Sequence, residues 1–486
     1  MTESLKIVRI NPRKNKREQT SYNWKKHLNA FELGRTSIVP AAAFSQSLLR
    51  DFNEMIKPGI RVEVRLHDYD ANTNGVETRW FGIIEKVAGL RVLVEWLGCT
   101  SKVWLHSLTD DIHFVGSCAK MDSNELKCAY VPPVSMDPAF RSDLPGFIAV
   151  SIIFIKETTQ NNAKLQQCVD TAVVGGRGLT KQYEKHRKSI FKTKFRVGQR
   201  LELLNYNLST ELRVARIKEM VGRRMNVLVT EEDYPGDLPD DEDRQLANNK
   251  DQYWIDQDSF FVFPVGFAAV NGYKIVANKE YLSHTKKIAH AMANGKTPRY
   301  HPDDISFEDA ERDVPPGEFH DLVVSSILDF CVTDGYFIVG MDGPDAKSDS
   351  FPMHINNLFM FPVGYAEKYR LKLTKPEGFK GKFVWDKYLE AEKAEPIPFD
   401  AFKPMPSKDR LKMFQVGSHL EAADMCENQF ICPATIKSVH GRLVNVHFDG
   451  WDSAFDELYD IDSHDILPIG WCELHNYELQ EPKKSN

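Results

Sequence analysis

The chain has 486 residues and a formal net charge of −7, with 42% hydrophobic and 27% charged residues. This length suggests about three domains, and the composition is ordinary for a globular protein. No apolar run approaches the roughly 20 residues of a membrane-spanning helix, and the acidic balance gives no global case for nucleic-acid binding. The basic, polar N-terminus lacks the apolar segment of a secretory signal.

Eight cysteines are scattered along the chain, and none forms a Cys-x-x-Cys pair. Zinc sites need cysteines and histidines at short, regular spacings, so we expect no metal site. The glycines of 173–178 lack the spacing of a phosphate-binding loop, so we predict a turn there and no cofactor. Several cysteines lie in apolar strand patterns, where a free thiol packs as a small hydrophobe. This usage indicates a reducing compartment, the cytosol or the nucleus.

At the start of the chain, residues 1–19 form a basic tail that includes the run Pro-Arg-Lys-Asn-Lys-Arg at 12–17. Such a run is either a nuclear address or a solvated tail. Residues 21–44 and 385–399 each combine a Trp-containing amphipathic segment with an extended, proline-marked arm. We therefore predict two similar helical arms.

Repeated motifs decide the predicted fold. An opening motif, Phe-x-Val-Gly-x-x-Leu-Glu, starts at Phe195 and at Phe414, with a looser copy at Ile56. A closing motif, a large apolar residue followed by Pro, Val or Ile, and Gly, occurs at 263–266, 361–364 and 467–470, with a looser copy at 114–116. Four closing motifs imply four repeats. Short apolar alternations separated by glycines predict that each repeat is a small, strongly bent β-barrel.

The predicted boundaries follow from these motifs. They are a basic tail at 1–19, repeat 1 at 20–135, repeat 2 at 136–275 with an acidic insertion at 231–243, repeat 3 at 276–372, repeat 4 at 373–480 and a C-terminal tail at 481–486. The acidic insertion is either a solvated loop or a landing surface for a Lys/Arg-rich tail. The basic stretch at 181–196 is either a solvated face or a weak contact with DNA phosphate.

The most informative stretch runs from Phe414 to Cys472. Asp424 lies in a polar turn between two strand signals, and three rings follow at a strand end and in its loop: Phe448, Trp451 and Phe455. Ring faces attract a methylated ammonium, and a carboxylate neutralises it. The alternative is that the rings are core residues and that Asp424 caps its own turn.

The order of motifs in this stretch resembles the malignant brain tumour (MBT) repeat nearly from end to end. The residues that carry the resemblance are Phe-x-Val-Gly-x-x-Leu-Glu-Ala-x-Asp, His-Phe-Asp-Gly-Trp-Asp and Pro-Ile-Gly-Trp-Cys. The resemblance implies a Tudor/SH3-like barrel and a methyl-lysine pocket built from Asp424, Phe448, Trp451 and Phe455. The last position is usually Tyr in the family. It also implies a nuclear, repressive role on histone H3 or H4 tails, as in four-repeat proteins of Polycomb-like or synthetic-multivulva silencing.

Only repeat 4 keeps the complete set of pocket residues. Repeat 1 has Leu66 at the Asp position and Cys99 at the Trp position, and repeat 2 has Asn205 and the acidic insertion. Repeat 3 has Met341 and Pro344 in place of two rings. If the rings served only as core, the other barrels would be expected to need them as well.

We therefore predict a mainly β, non-enzymatic chromatin reader that binds a methylated histone tail on nucleosomes, with H3 lysine 9 as the first choice. No nucleophile–base pair or metal-ligand spacing supports catalysis, and we expect no membrane contact. A carboxylate that accepts an N–H favours mono- or dimethyl-lysine, whereas the missing hydroxyl at Phe455 would tolerate trimethyl-lysine. The rival interpretation is a scaffold for repressor-complex proteins with a vestigial pocket.

Overall fold

The computed structural model describes seventeen stretches of the chain. They are residues 22–30, 37–44, 55–67, 77–97, 101–118, 128–130, 179, 181–204, 211–229, 252–275, 277–310, 327–330, 336–340, 342, 350–354, 356–376 and 379–483. These residues fall into two compact units. The first lies within Met1–Lys192, Ser407–Val439 and Leu443–Asn486, and the second lies within Thr193–Pro406 and His440–Arg442.

Each of the first two sheets is curled from short antiparallel strands. The first contains β1 (Arg61–Arg65), β2 (Glu77–Ala88), β3 (Arg91–Trp96), β4 (Lys102–His106), β5 (Ile112–His113) and β6 (Cys128–Tyr130). The second contains β7 (Arg200–Leu204), β8 (Glu211–Val221), β9 (Arg224–Val229), β10 (Gln252–Asp256), β11 (Val262–Phe263) and β12 (Lys274–Ile275). Their orders, β4-β3-β2-β1-β5 and β10-β9-β8-β7-β11, are equivalent, and each adds a parallel strand, β6 or β12, beside its long second strand.

The third sheet is described over three antiparallel strands, and the fourth repeats the five-strand order of the first two. The third contains β13 (Ile327–Phe330), β14 (Tyr336–Gly340) and β15 (Ser350–His354) in that order. The fourth contains β16 (His419–Ala423), β17 (Ile431–His440), β18 (Leu443–Phe448), β19 (Glu457–Asp460) and β20 (Ile466–Leu467), in the order β19-β18-β17-β16-β20. Four sheets agree with the four predicted repeats.

The helices in the described residues are short. They are α1 (Trp24–Ala30), α2 (Lys181–Ile190), α3 (Phe267–Asn271), α4 (Lys279–Ala293), α5 (Tyr365–Lys368), α6 (Trp385–Glu392), α7 (Lys408–Leu411) and α8 (Trp471–Leu474). Single 3₁₀ turns occupy Ala41–Ala43, Phe399–Ala401 and Ser453–Phe455. None of the described helices has the length and apolar composition needed to cross a bilayer.

A buried glutamate links the opening and closing motifs of three repeats. Glu63, Glu202 and Glu421 each have 0% exposure. Each carboxylate accepts two backbone N–H groups from its own closing turn, at Gly116 and Cys118, Gly266 and Ala268, or Gly470 and Cys472. The closing glycines Gly266 and Gly470 have φ of 95° and 93°, a left-handed conformation that glycine adopts without strain. This network explains why both motifs recur.

The N-terminal arm, predicted as part of repeat 1, makes its described contacts with the fourth sheet. The indole Nε1 of Trp24 donates to Glu421 at 2.9 Å. Val39 N donates to the carbonyl of His419 at 3.1 Å, and Phe44 packs against Phe414 with ring centroids 6.0 Å apart. Trp24 of the predicted arm therefore inserts into the barrel of repeat 4, at Glu421, which lies 397 residues later in the sequence.

The other arms contact the sheet that precedes them in the chain. In the second unit, the hydroxyl of Tyr281 on α4 donates to Glu202 at 3.0 Å, and that of Tyr388 on α6 donates to Asp342 at 2.8 Å. In the first unit, Arg187 on α2 is buried and forms an ion pair with Asp110 at 2.9 Å. Part of the basic stretch at 181–196 is therefore structural, not a solvated face.

Two cysteines differ from the expectation of free thiols. Cys118 and Cys128 form a disulfide, with Cα atoms 5.4 Å apart. The pairing of β6 with β2 brings Cys128 beside the first closing turn, and a separation of ten positions matches no recognisable spacing motif. Among the described cysteines, Cys426, Cys432 and Cys472 form no disulfide.

Candidate functional site

Asp424 follows β16 directly and organises the turn that connects it to β17. Its N–H donates to the carbonyl of Phe430 at 3.1 Å. Its Oδ1 accepts the backbone N–H groups of Cys426 and Glu427 at 2.7 and 2.9 Å. Within the part of the chain that the structure describes, no hydrogen bond engages Oδ2. One oxygen therefore caps the turn, as the simpler interpretation expected, and the other remains available to a ligand.

The three predicted rings occupy the end of β18 and the loop after it. Phe448 is buried, with 3% exposure, whereas Trp451 is partly buried and Phe455 is 53% exposed. Trp451 and Phe455 meet edge to face, with centroids 5.7 Å apart and planes at 73°. The N–H of Trp451 donates to the carbonyl of Phe448 at 3.1 Å, which ties its backbone to the strand end. Two accessible rings thus form one corner, and the third lies in the barrel wall.

The loop that carries these rings is held by aspartates. Asp452 accepts the N–H of Ala454 at 2.8 Å and so starts the 3₁₀ turn that ends at Phe455. Asp456 pairs with Lys437 and accepts a hydrogen bond from His447 Nδ1 at 2.7 Å. Burial alone would raise the pKa of Asp456, but these hydrogen bonds lower it overall. The carboxylate therefore stays ionised and fixes the base of the loop.

Glu457 is a second carboxylate at this corner, and the sequence reasoning missed it. It follows Phe455 by two residues, and its oxygens accept the N–H of Met425 at 3.1 and 3.3 Å. One carboxylate oxygen of Asp424, one of Glu457 and the Sγ of Cys426 all lie within 4.8 Å of one another. Burial raises the pKa of Glu457, and the charge of Asp424 adds to that rise. The only sequence signal was an acidic residue at the start of a strand.

The chain's own C-terminal tail also reaches the rings. Leu479 bridges to Ile431 in parallel, and the tail then passes Gly450, where a Cβ would lie 2.7 Å from the carbonyl oxygen of Lys483. The Nζ of Lys483 lies 3.9 Å from the centroid of the Trp451 ring. A cation therefore already contacts one of the predicted pocket rings.

The corresponding corner of repeat 1 is described only in part. Glu63 and Glu421 occupy equivalent places, so Leu66 stands where repeat 4 has Asp424. Trp96 ends β3 as Phe448 ends β18, and it is partly buried. The predicted replacements Cys99, Asn205, Met341 and Pro344 lie outside the described residues, as does the acidic insertion at 231–243.

Comparison with known proteins agrees with this architecture. The mbt repeat model matches residues 199–282, 316–380 and 418–486. Protein lin-61 of Caenorhabditis elegans is 52% identical over 507 residues, which cover 100% of this chain and 80% of that protein. Malignant brain tumor repeat protein 1 of the same organism is 37% identical over 506 residues, which cover 95% of this chain and 86% of that protein.

A solved structure shares the fold. The crystal structure of the four MBT repeats of Drosophila melanogaster Sfmbt, in complex with the peptide RHR(me)K VLR, has a TM-score of 0.69 and 22% identity. The match covers 96% of this chain and 100% of that chain. This chain belongs to the MBT repeat family, and the predicted fold of four tandem repeats is confirmed. The first sheet lies outside the three ranges matched by the family model, yet Glu63 makes the same contacts as its counterparts.

Proposed function

We propose that this chain is a non-enzymatic chromatin reader that binds a methylated lysine of a histone tail at the corner formed by Asp424, Phe448, Trp451 and Phe455. The observation that carries the proposal is the edge-to-face pair of accessible rings, whose loop leads within two residues to Glu457, beside the carboxylate of Asp424. Aromatic faces attract a methylated ammonium through their quadrupoles, and the carboxylate neutralises the remaining charge.

Each side chain has a distinct part in this proposal. Trp451 and Phe455 supply walls that a ligand reaches from solvent, and Phe448 supplies an apolar floor. The free oxygen of Asp424 accepts an N–H from a mono- or dimethylated ammonium, which is a charge-assisted hydrogen bond. Trimethyl-lysine has no N–H, so it gains only from the rings and the net charge. We therefore expect a weak preference for the lower methylation states. The preference should be small because Phe455 lacks a hydroxyl, which makes the pocket more tolerant of trimethyl-lysine.

The relatives support the same class of ligand. The Sfmbt structure holds a peptide that contains a methylated lysine beside arginine. The acidic residues around the corner, including the exposed Glu427 and Asp452, would attract such a basic peptide. We propose nuclear action in transcriptional repression on nucleosomes, with H3 lysine 9 as the first mark to test. The scaffold interpretation, in which the pocket is vestigial and repeat surfaces hold repressor-complex proteins, is the rival.

The test is a binding titration with histone H3 and H4 peptides that are unmodified or carry one, two or three methyl groups. The wild type should bind a methylated peptide with a dissociation constant on the order of micromolar or weaker, because one side chain buries little area. Trp451→Ala should weaken binding by roughly 10- to 30-fold, the size of a desolvated cation–π contact.

Trp96→Ala is the control, because it removes a side chain of the same type, a partly buried tryptophan, at the strand end of repeat 1 that corresponds to Phe448. It should leave peptide affinity unchanged, while thermal unfolding shows whether each variant is folded. Equal affinity of the wild type and folded Trp451→Ala for every methylated peptide would favour the scaffold interpretation.

A further inference from the structure

The helix α4 has one face that packs and one face without a role in the proposed pocket. Tyr281, Thr285 and Ile288 are buried against the second sheet. Asn278 caps its first turn by accepting the N–H of Tyr281 at 2.9 Å. The opposite face lines an open cavity of about 600 Å³. The helix is therefore a fixed support whose outer side chains keep a constant spacing.

The outer face is strongly basic. The polar lining of the cavity comprises Lys279, Ser283, Lys286, Lys287 and His290 on α4 and Lys296 three residues beyond its end, and Leu282 and Ala291 supply an apolar floor. The four lysines are exposed. The 15 residues of α4 contain one acidic side chain, Glu280. Positive charge is therefore concentrated on one side of this helix although the whole chain is acidic.

These lysines differ from other cations of the second unit. Arg196 pairs with Asp303 at 3.1 Å, and Arg223 pairs with Asp256 at 3.1 Å. No such ion pair involves Lys279, Lys286, Lys287 or Lys296 among the residues that the structure describes. Their charge is thus not used to stabilise the repeat, and it is available to an external anion.

We propose that the basic face of α4 binds the phosphate backbone of double-stranded DNA. A helix of 15 residues is about 22 Å long, and a duplex carries one charge per ~1.7 Å, so about 13 phosphates lie alongside it. Lysine ammonium groups act as point charges that suit a backbone without sequence readout, and the Ser283 hydroxyl can donate to a phosphate oxygen. Recognition of carboxylates in an acidic protein more often uses the bidentate fork of arginine, and this face has none.

The proposal does not depend on the methyl-lysine pocket, and its signature is a salt dependence. Each neutralised phosphate contributes about 0.9 to the slope of log K against log salt concentration, so four lysines contribute about 3.6. A fourfold rise in salt then lowers the association constant on the order of 100-fold through these contacts. The site is weak and electrostatic, and it would add to the affinity of a reader for its nucleosome.

The experiment compares the full chain with a variant carrying Lys279→Ala, Lys286→Ala, Lys287→Ala and Lys296→Ala. Binding to a short duplex of mixed sequence is measured over a salt series. The slope should fall in magnitude by about 3.6 and the affinity at low salt by 10-fold or more. The matched control changes four exposed lysines of a non-helical segment in the same unit: Lys372→Ala, Lys375→Ala, Lys380→Ala and Lys382→Ala. It alters net charge equally and should retain most of the slope.

An unchanged slope in the α4 variant would overturn the proposal, as would an equal loss in the control, which would indicate only a net-charge effect. Loss of binding to poly-glutamate with DNA binding intact would instead indicate an acidic protein partner. Because all four lysines are exposed, the variant should keep the unfolding temperature of the wild type. Methyl-peptide affinity, measured on the same samples, separates failure of this inference from failure of the pocket.

Discussion

Repeats 2 and 4 share one structural device and differ in what surrounds it. In both, a buried glutamate accepts two N–H groups from the closing turn, and a third donor arrives from an arm: the Tyr281 hydroxyl for Glu202 and the Trp24 indole for Glu421. The strand orders are equivalent, β10-β9-β8-β7-β11 and β19-β18-β17-β16-β20. The scaffold is therefore the same even though the third donor differs in chemistry.

The difference lies at the end of the third strand. In repeat 4 the chain continues through Trp451 and Phe455, whose loop is fixed by Asp452 and Asp456. Repeat 2 carries an acidic sequence at the corresponding place. The residues that hold the barrel together are therefore separate from those of the proposed pocket, so substitutions should separate stability from ligand binding.

The largest expected effect comes from removing the shared carboxylate. Glu202→Ala and Glu421→Ala each leave two backbone N–H groups and one side-chain donor unpaired in a buried setting. We expect each to lower the free energy of unfolding by about 3 to 5 kcal/mol, since every such orphan costs about 1 to 3 kcal/mol. Chemical denaturation monitored by fluorescence measures the change. Glu390→Ala, at an exposed position of α6, should change stability by less than about 0.5 kcal/mol. Losses near zero in both repeats would show that the carboxylate network is not what holds the motifs together.

The next effect is a pH dependence that both repeats should share. Burial raises the pKa of Glu202 and Glu421 to about 7 from 4.5, although N–H donors oppose the shift. The folded protein then binds protons that the unfolded chain releases between these values. The contribution to stability therefore falls as pH rises from 4.5 to 7 and is constant above that range. The slope per group is at most about 1.4 kcal/mol per pH unit.

Glu421→Gln isolates this contribution because the amide does not titrate. The wild-type free energy of unfolding minus that of the variant should decrease by up to about 3 kcal/mol between the two pKa values. A difference that instead grows with pH would mean that the N–H donors keep the carboxylate ionised.

Local sequence patterns predicted the parts of this comparison that depend on nearby residues. Alternating apolar residues and turn glycines specify the strands. The predicted position of Asp424, in a turn between two strands, is confirmed by β16 and β17. The role of Glu421 was not foreseen, because its N–H donors come 49 and 51 residues later and Trp24 lies 397 residues earlier. Such contacts depend on how distant segments pack.

The same limit applies to the pocket. Its four predicted residues are a motif within repeat 4, and their role as a ligand site stays a prediction. Glu457 lies at this corner because β19 pairs with β18, and this pairing brings the start of β19 close to the turn of Asp424. Lys483 lies in the C-terminal tail, which pairs with the start of β17 through Leu479 and Ile431. Arg187 was read as part of a basic face, but its partner Asp110 lies 77 positions earlier.

A smaller effect should follow from changing the charge of the pocket while keeping its turn. Asp424→Asn retains an Oδ1 that can accept the N–H groups of Cys426 and Glu427, so stability should change little. It removes the negative charge that faces the ligand. We expect mono- and dimethyl-lysine peptides to bind about 10-fold more weakly, which corresponds to about 1.4 kcal/mol, close to the lower end of the range for hydrogen bonds to charged groups. Trimethyl peptides should lose less.

Titration calorimetry with the three methylation states measures the ratio of the variant's dissociation constant to that of the wild type. An equal loss of affinity for all three would argue against a hydrogen bond from the ligand.

The smallest effect concerns the internal cation. Because Lys483 places its ammonium 3.9 Å from the centroid of Trp451, it occupies a ring that the proposed ligand would also contact. An exposed cation–π contact stabilises by about 0.5 to 1 kcal/mol, so a competing lysine lowers ligand affinity by roughly 2- to 5-fold. Lys483→Ala should therefore tighten methyl-peptide binding by that factor, whereas Lys483→Arg, which keeps a cation at the ring, should not.

Weaker binding by Lys483→Ala would show the opposite role, in which the tail holds the indole in its binding orientation. The tail packs against repeat 4 at Gly450, where only glycine allows its backbone to approach so closely, so either result would set repeat 4 further apart from repeat 2.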